Sequence, residues 1–268
     1  MKYLHQHAKT YTLLQTWANG SELISASFFF YALGKSEQKS QSGLLRSLLY
    51  QILQYDPSVT EHALPHMWRE ACYNHQSSPE LEVPSIDEMA TALKVLCSML
   101  HADKKLFLLI DGIDEYEGND LDIARFIREL ESFPNTKILV SSRPHTAFMT
   151  AFRQRPKMNL QDLTKRDVAT YIQDTVASYP YMRSMSHSPV DKITQNLAQK
   201  ASGVFLWLIL ACRSVVEGCD DFCTITELEA RVDELPKELE DLIEHMLESI
   251  DPRWKQDAMK LMHVVYTN

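Results

Sequence analysis

Residues 105–115 read KLFLLIDGIDE, and this stretch decides the fold. Five apolar residues, Leu106 to Ile110, run without interruption into Asp111. An apolar run of this kind is typical of a strand that is buried on both faces, as in a parallel sheet covered by helices. The residue at the end of such a strand lies at the carboxyl edge of the sheet, where open α/β folds bind ligands. The pattern therefore predicts a ligand site around Asp111.

The acidic turn after this strand has the spacing of a nucleotide-hydrolase motif. Gly112 permits a sharp turn, and Asp114 and Glu115 add two carboxylates. An apolar strand ending in D-G-x-D-E matches the Walker B pattern, in which Asp111 holds Mg²⁺ through water and Glu115 or Asp114 orients the attacking water. The alternative is a buried strand followed by an acidic turn that caps the next helix. The complete D-G-x-D-E pattern favours the hydrolase interpretation.

A nucleotide site also needs a phosphate-binding loop, and the 268 residues contain no G-x-x-x-x-G-K-[ST] pattern. Gly34, Lys35 and Ser36 carry the end of that pattern, but Phe29 stands where its first glycine belongs. Polar residues follow instead of an apolar helix. We therefore interpret Gly34 to Ser36 as a surface loop.

Composition and charge narrow the class of protein. Apolar residues make up 45% of the chain and there are only 7 glycines, which indicates a helix-rich globular fold. The net charge of −9 argues against a general nucleic-acid or anionic-membrane surface. We find no signal segment and no apolar run long enough to span a bilayer, so we expect a cytoplasmic protein. The five cysteines are an odd number without paired spacing, which predicts reduced thiols. Cys212, Cys219 and Cys223 match no zinc spacing, so we interpret them as loop or core thiols.

The first part of the chain alternates strand and helix patterns. Besides the central run, residues 21–31, 136–141 and 157–160 have strand character, and helical patterns separate them. Ser85 and Glu88 form a predicted capping box before the central strand. Strands that alternate with helices predict parallel pairing with right-handed crossovers.

From Asp162 onward the pattern is helical throughout. We predict that Thr164 and Asp167 cap the first of these helices, and that residues 203–216, which are apolar nearly all round, form the buried centre. The predicted domains are residues 1–160 for an α/β domain, 161–235 for a helical domain, and 236–268 for the start of a further helical region.

Arg143 follows the strand at 136–141, at the same sheet edge as Asp111. An arginine there can reach a γ-phosphate. The alternative is an arginine that pairs with a neighbouring acid on a solvated loop. Beside Asp111 and Glu115 we favour the phosphate-sensing interpretation. Ser141 and Ser142 lack the G-x-S-x-G turn of a hydrolase and are interpreted as strand-end hydroxyls.

Several stretches together resemble the NACHT class of signalling NTPases: LFLLIDGIDEYEG, KILVSSRP, NLQDLTKRDVATYI, SGVFLW and ELPKELEDLIEHMLESID. They are most similar to the nephrocystin-like N-terminal form that occurs in fungal NOD-like receptors, a STAND-type P-loop NTPase. The resemblance covers nearly the whole chain. It implies a P-loop ATPase-type sheet, a helical domain that closes on the nucleotide, and the start of a winged-helix region. It also implies ATP and Mg²⁺ as cofactors of a switch that oligomerises after nucleotide exchange.

Carried over residue by residue, the resemblance places the Mg²⁺ aspartate on Asp111, the water-positioning pair on Asp114 and Glu115, and the sensor arginine on Arg143. In the family, a motif resembling GKAGSGKST is followed almost directly by L-M-K-[YF]-L, whereas this chain begins with MKYL at residues 1–4. We therefore expect a partial parallel sheet without the first strand and the Walker A loop. Neighbouring strands would then carry unpaired main-chain groups, which favours aggregation.

Three functional hypotheses follow. The first is a fragment of a NACHT-type signalling NTPase that binds nucleotide weakly or not at all by itself, because a Mg²⁺ carboxylate without main-chain N–H groups around the phosphates gives little affinity. The second, which we favour for the chain as given, is a non-catalytic fragment that retains Asp111 and Arg143 as vestiges and docks to intact NACHT homologues in a homo- or hetero-oligomer. The third, an unrelated helical adaptor, conflicts with the D-G-I-D-E and S-S-R-P motifs.

Overall fold

The computed structural model describes residues 1–73, 83–100, 103–248, 250 and 252–267. The chain forms two compact units, which divide between Arg155 and Pro156. The sequence-based boundary lies five residues further on, after residue 160. The first unit combines a three-stranded sheet with eight α-helices among its described residues, and the second unit is helical in its described residues.

The elements of the first unit alternate as the sequence indicates. Its strands are β1 (Glu22–Phe29), β2 (Lys104–Asp111) and β3 (Thr136–Val140). Its helices are α1 (Lys2–Gln6), α2 (Ala8–Ala18), α3 (Gln41–Tyr55), α4 (Thr60–Ala63), α5 (Pro65–Tyr73), α6 (Ile86–Met99), α7 (Asp120–Glu131) and α8 (Thr146–Ala151). The predicted capping box of α6 is present, since the Ser85 hydroxyl accepts from the Glu88 N–H and the Glu88 carboxylate accepts from the Ser85 N–H.

The sheet is parallel with the order β1-β2-β3, which confirms the predicted pairing. The central strand β2 is buried from Leu106 to Ile110. Its register places Asp111 opposite Phe29 of β1, and Ile110 opposite Val140 of β3. All three strands therefore end at one edge of the sheet.

Helices cover both faces of this sheet. On one face, alternate strand residues such as Ile24 and Leu108 pack into a core with residues from α3, α6, α7 and α8. On the other face, the Lys105 and Lys137 ammonium groups lie 5.2 and 4.4 Å from the centre of the Trp17 ring of α2. Successive residues of a strand point to opposite faces, so α2 shields the side of the sheet that the main core does not reach.

The outer edge of β1 is covered by a side chain of α3. The Gln51 amide accepts a hydrogen bond from the Ser27 N–H at 3.0 Å and donates one to the Ser27 carbonyl at 2.8 Å. These are the two bonds that a neighbouring strand would make with Ser27. Gln51 therefore satisfies main-chain groups that an edge strand otherwise leaves open.

The second unit is built around one central helix, as the apolar run at residues 203–216 indicates. Its helices are α9 (Leu160–Ile172), α10 (Pro180–Arg183), α11 (His187–Ala201), α12 (Phe205–Asp220), α13 (Ile225–Glu234), α14 (Leu239–Glu248) and α15 (Pro252–Thr267). A π-helical turn, Gln173–Ala177, follows α9. Helix α12 packs against α9, α11, α13 and α14. The buried Trp207 ring donates from its Nε1 to the Pro236 carbonyl at 2.8 Å, which ties α12 to the segment before α14.

Two local predictions in this region are wrong. Residues 157–159 have no regular structure and Leu160 begins α9, so the predicted strand at 157–160 is not formed. These residues are exposed, and the sheet offers them no strand to pair with. Thr164 lies inside α9 and donates to the Gln161 carbonyl, while Asn159 occupies the N-cap position. The winged-helix assignment stays a prediction. Among the described residues, no helix combines the length and apolar character that crossing a bilayer requires.

Candidate functional site

The predicted site residues meet at the carboxyl edge of the sheet. Asp111 is the last residue of β2, and a 3₁₀ turn, Ile113–Glu115, follows it directly. Arg143 lies three residues after the end of β3. Gly112 joins strand and turn with a φ of +69°, a left-handed conformation that favours glycine. The turn that begins at Gly112 thus places Asp114 and Glu115 at the ends of the strands.

Asp111 is fixed by a hydroxyl from the neighbouring strand. The Ser141 hydroxyl donates to the Asp111 carboxylate, and it accepts from the Gly112 N–H at 3.0 Å. A main-chain hydrogen bond also joins these two segments, since the Ile113 N–H donates to the Ser141 carbonyl at 3.1 Å. The sequence alone identifies Ser141 only as a strand-end hydroxyl. The one sequence signal for this contact is its place at the end of the strand next to β2.

Asp114 binds the segment that follows β3. Its carboxylate accepts from the Arg143 main-chain N–H at 3.0 Å and lies 3.5 Å from the Arg143 Nε. The Asp114 side chain is only 8% exposed, whereas the Arg143 side chain is 74% exposed. In this structure Arg143 therefore shows the alternative arrangement, an arginine paired with a neighbouring acid on a solvated loop. Its guanidinium remains accessible to solvent.

Glu115 binds the segment that follows β1. Its carboxylate accepts from the Ala32 N–H at 2.8 Å. The Phe30 N–H donates to the Asp111 carbonyl at 2.9 Å, and the Phe30 and Tyr116 rings pack edge to face at 5.8 Å. The three carboxylates thus reach three different partners, and together they join the ends of all three strands.

The carboxylate oxygens of Asp111 are of the ligand type that Mg²⁺ prefers. Mg²⁺ is usually bound through one or two carboxylates, with waters and substrate phosphates completing its shell. Asp111 supplies one such carboxylate, and the bond to Ser141 holds its orientation. Within the described residues, no group of three His, Cys, Asp or Glu side chains is arranged to hold a metal. Asp111 alone therefore fits a Mg²⁺ that arrives with a nucleotide and does not fit a metal held by protein side chains.

Within the part of the chain that the structure describes, no cysteine belongs to a group of three potential metal ligands. Burial raises the pKa of Cys97 to about 11, of Cys212 to about 12 and of Cys219 to about 11. These thiols therefore stay protonated at neutral pH and are poor nucleophiles. All five cysteines are free, as the sequence predicts.

Residues 34–36, which carry the end of the phosphate-binding pattern, lie in an exposed turn. The Gly34 N–H donates to the Tyr31 carbonyl at 2.9 Å, and the Lys35 N–H donates to the Gln38 side chain at 3.1 Å. Lys35 and Ser36 are exposed at the start of a 3₁₀ turn, Ser36–Gln38. This confirms the surface-loop interpretation.

Comparison with known proteins gives two matches. The family model described as nephrocystin 3, N-terminal, matches residues 3–143, which is just over half of the chain and includes all four predicted site residues. The vegetative incompatibility protein HET-E-1 of Podospora anserina is 23% identical over 234 residues. That match covers 84% of this chain but only 16% of the length of HET-E-1.

Proposed function

We propose a function from the premise that this chain belongs to the nephrocystin 3 N-terminal family. The chain is the nucleotide-binding part of a NACHT-type signalling NTPase, with an α/β unit followed by a helical unit. The observation that carries this proposal is the meeting of Asp111, Ser141 and Arg143 at the carboxyl edge of a parallel sheet, the place where open α/β folds bind ligands. The similarity to a vegetative incompatibility protein supports the signalling part of the proposal.

Each site residue has a separate task in this proposal. Asp111 would hold Mg²⁺, and Ser141 keeps the Asp111 carboxylate in place. The metal, when bound, neutralises phosphate charge. Arg143 can turn toward a phosphate because an ion pair of an exposed arginine is weak. Asp114 and Glu115 each accept one main-chain N–H, and the remaining acceptor sites of each carboxylate could position water.

The 268-residue chain itself should bind nucleotide weakly. It has no G-x-x-x-x-G-K-[ST] pattern, and main-chain N–H groups around the phosphates supply much of the affinity at such sites. We therefore propose that the purified chain binds Mg·ATP weakly and shows no turnover above background.

A second candidate function is supported by the hydrogen bonds of the acidic turn. Asp114 and Glu115 both accept from main-chain N–H groups, so both already have a structural role. A chain with this arrangement can act without catalysis, as a module that docks to intact homologues in a homo- or hetero-oligomer. The two candidates differ in whether Mg²⁺-dependent nucleotide binding can be measured.

The test is a titration of the chain with a fluorescent ATP analogue, with and without Mg²⁺. Asp111→Asn removes the charge but keeps an acceptor for Ser141, and Asp87→Asn is a control at an exposed carboxylate of α6. We expect weak Mg²⁺-dependent binding that Asp111→Asn abolishes and Asp87→Asn preserves. Tight binding that survives Asp111→Asn would contradict the assignment of Asp111. If the folded chain shows no Mg²⁺-dependent binding, the second candidate is supported.

A further inference from the structure

An open groove lies between α7 and α8 of the first unit. Its volume is about 650 Å³. One wall is a stripe of α7 that includes Leu121, Arg125 and Arg128, at a spacing of four and then three residues that places all three on one helix face. The opposite wall contains Ala147 and Ala151 of α8. The groove is separate from the strand-end site, and neither candidate function uses it.

Three arginines line this groove, and their existing ion pairs are weak enough for them to bind an anionic ligand. Arg125 pairs with Asp122 at 3.3 Å, and Arg155 pairs with Glu131 at 2.9 Å. Both arginines are more than half exposed, and ion pairs between such exposed groups are weak. The Arg128 side chain has no hydrogen-bond or ion-pair partner among the residues that the structure describes. An anionic ligand would therefore meet one unpaired guanidinium and two weakly paired ones.

The acidic residue that lines the groove does not cancel this charge. Glu129 lies among the lining residues, but its carboxylate binds the Lys94 ammonium at 2.6 Å. Counted with their partners, the four cations Arg125, Arg128, Arg155 and Lys94 face the three carboxylates of Asp122, Glu129 and Glu131, which leaves one positive charge in excess on a chain whose net charge is −9. The unpaired Arg128 and its two weakly paired neighbours favour a ligand with negative charge.

We propose that this groove binds the acidic face of an amphipathic helix from a partner protein. Arg125 and Arg128 are separated by about 4.5 Å along the helix axis, at about 1.5 Å per residue. Carboxylates three or four residues apart on a second helix have a matching spacing. The partner presents an apolar residue to Leu121, which is 56% exposed, and to the alanines of α8. Arginine suits this role because its guanidinium binds carboxylates in a bidentate manner.

A nucleic acid fits these observations less well. A chain of net charge −9 repels a phosphate backbone outside the immediate contact, and the apolar wall of the groove would add nothing to phosphate binding. A small inorganic anion would fill little of a groove this large. The size, the apolar wall and the spaced arginines together favour a peptide segment.

The test uses a fluorescein-labelled helical peptide of repeated glutamate and leucine residues, titrated against the chain by fluorescence anisotropy. The same peptide with glutamine in place of glutamate reports whether charge is required. Arg128→Glu is the decisive variant, because the Arg128 side chain makes no hydrogen bond or ion pair among the described residues. Arg46→Glu is the matched control, since Arg46 is also an exposed helical arginine of the first unit with no described side-chain partner. Circular dichroism confirms that both variants are folded.

We expect the acidic peptide to bind, Arg128→Glu to weaken binding by about tenfold or more, and Arg46→Glu to leave it unchanged. The glutamine peptide should not bind. The proposal is wrong if the wild-type chain does not bind the acidic peptide, or if Arg128→Glu and Arg46→Glu have equal effects. It is also wrong if inorganic phosphate or a short DNA duplex displaces the peptide at lower concentration than the unlabelled peptide does. These outcomes do not depend on nucleotide binding at Asp111.

Discussion

The Asp114 carboxylate should stabilise the protein mainly through the main chain of Arg143 and only slightly through its guanidinium. The main-chain N–H bond is 3.0 Å long and ends on a carboxylate that is almost fully buried. Hydrogen bonds to charged groups contribute about 1.5–3 kcal/mol. The ion pair at 3.5 Å involves an exposed guanidinium and should contribute less than about 1 kcal/mol. We therefore expect Asp114→Ala to cost about 2 kcal/mol, and Arg143→Ala well below 1 kcal/mol.

Two measurements test this difference. Urea unfolding followed by circular dichroism gives the free energies of unfolding, with Asp87→Ala as the exposed control. Hydrogen exchange at the Arg143 amide reports the bond itself, and Asp114→Ala should accelerate it while Asp114→Asn, which keeps an acceptor oxygen, should accelerate it less. The reasoning is refuted if Arg143→Ala costs as much as Asp114→Ala, or if exchange at Arg143 is the same in Asp114→Ala as in the wild-type chain.

Three further predictions concern the fold. Gly43→Ala should destabilise the protein in urea unfolding, because an added Cβ would lie 1.6 Å from a main-chain oxygen of the preceding segment. This expectation is opposite to the usual preference of helices for alanine over glycine, which is about 1 kcal/mol. Equal or greater stability of the variant would contradict this packing. The hydrogen bond from Lys104 lowers the pKa of Asp56, so its stabilisation is present above the ordinary aspartate pKa of 3.8 and is lost as pH falls through the lower folded pKa. Asp56→Asn should therefore destabilise the chain at pH 7, and the difference should shrink as the pH falls below the folded pKa; a pH-independent difference would count against it. In thiol labelling of the native chain, the exposed Cys72 should react quickly and the buried Cys97 only after unfolding; similar rates for both would show that Cys97 is accessible.

The sequence predicts the central strand and its acidic end because both signals are local. The apolar run from Leu106 to Ile110 can be buried on both faces only in a covered parallel sheet, and Asp111 follows without a gap. The capping box at Ser85 is equally local, since its partner lies three residues away. Such features require no knowledge of what packs against them.

The contacts of the site could not be predicted in this way. Ser141 is thirty residues from Asp111 in the chain, and only the parallel register of β2 and β3 brings them together. The Glu115 carboxylate accepts from the main-chain N–H of Ala32, and nothing in the side chain of Ala32 predicts this contact. Sequence patterns located the acidic residues, but they did not show that each carboxylate is already hydrogen-bonded to a neighbouring segment.

The strand predicted at residues 157–160 failed for a related reason. A run of four residues can look extended, but a strand exists only if another strand accepts its hydrogen bonds. These residues are exposed, and Asn159 at the N-cap of α9 starts a helix instead. The tertiary environment, rather than local preference, decided the conformation.

The amide of Gln51 has a consequence for how the sheet can grow. Because it occupies both main-chain groups of Ser27, an incoming strand cannot pair along β1 without displacing it. On the other side, β3 pairs only with β2 among the described residues. A sheet with one open edge can pair with the open edge of a second copy, and growth then stops. A sheet with two open edges can add copies without limit. Gln51 therefore hinders strand addition at the β1 edge of the sheet.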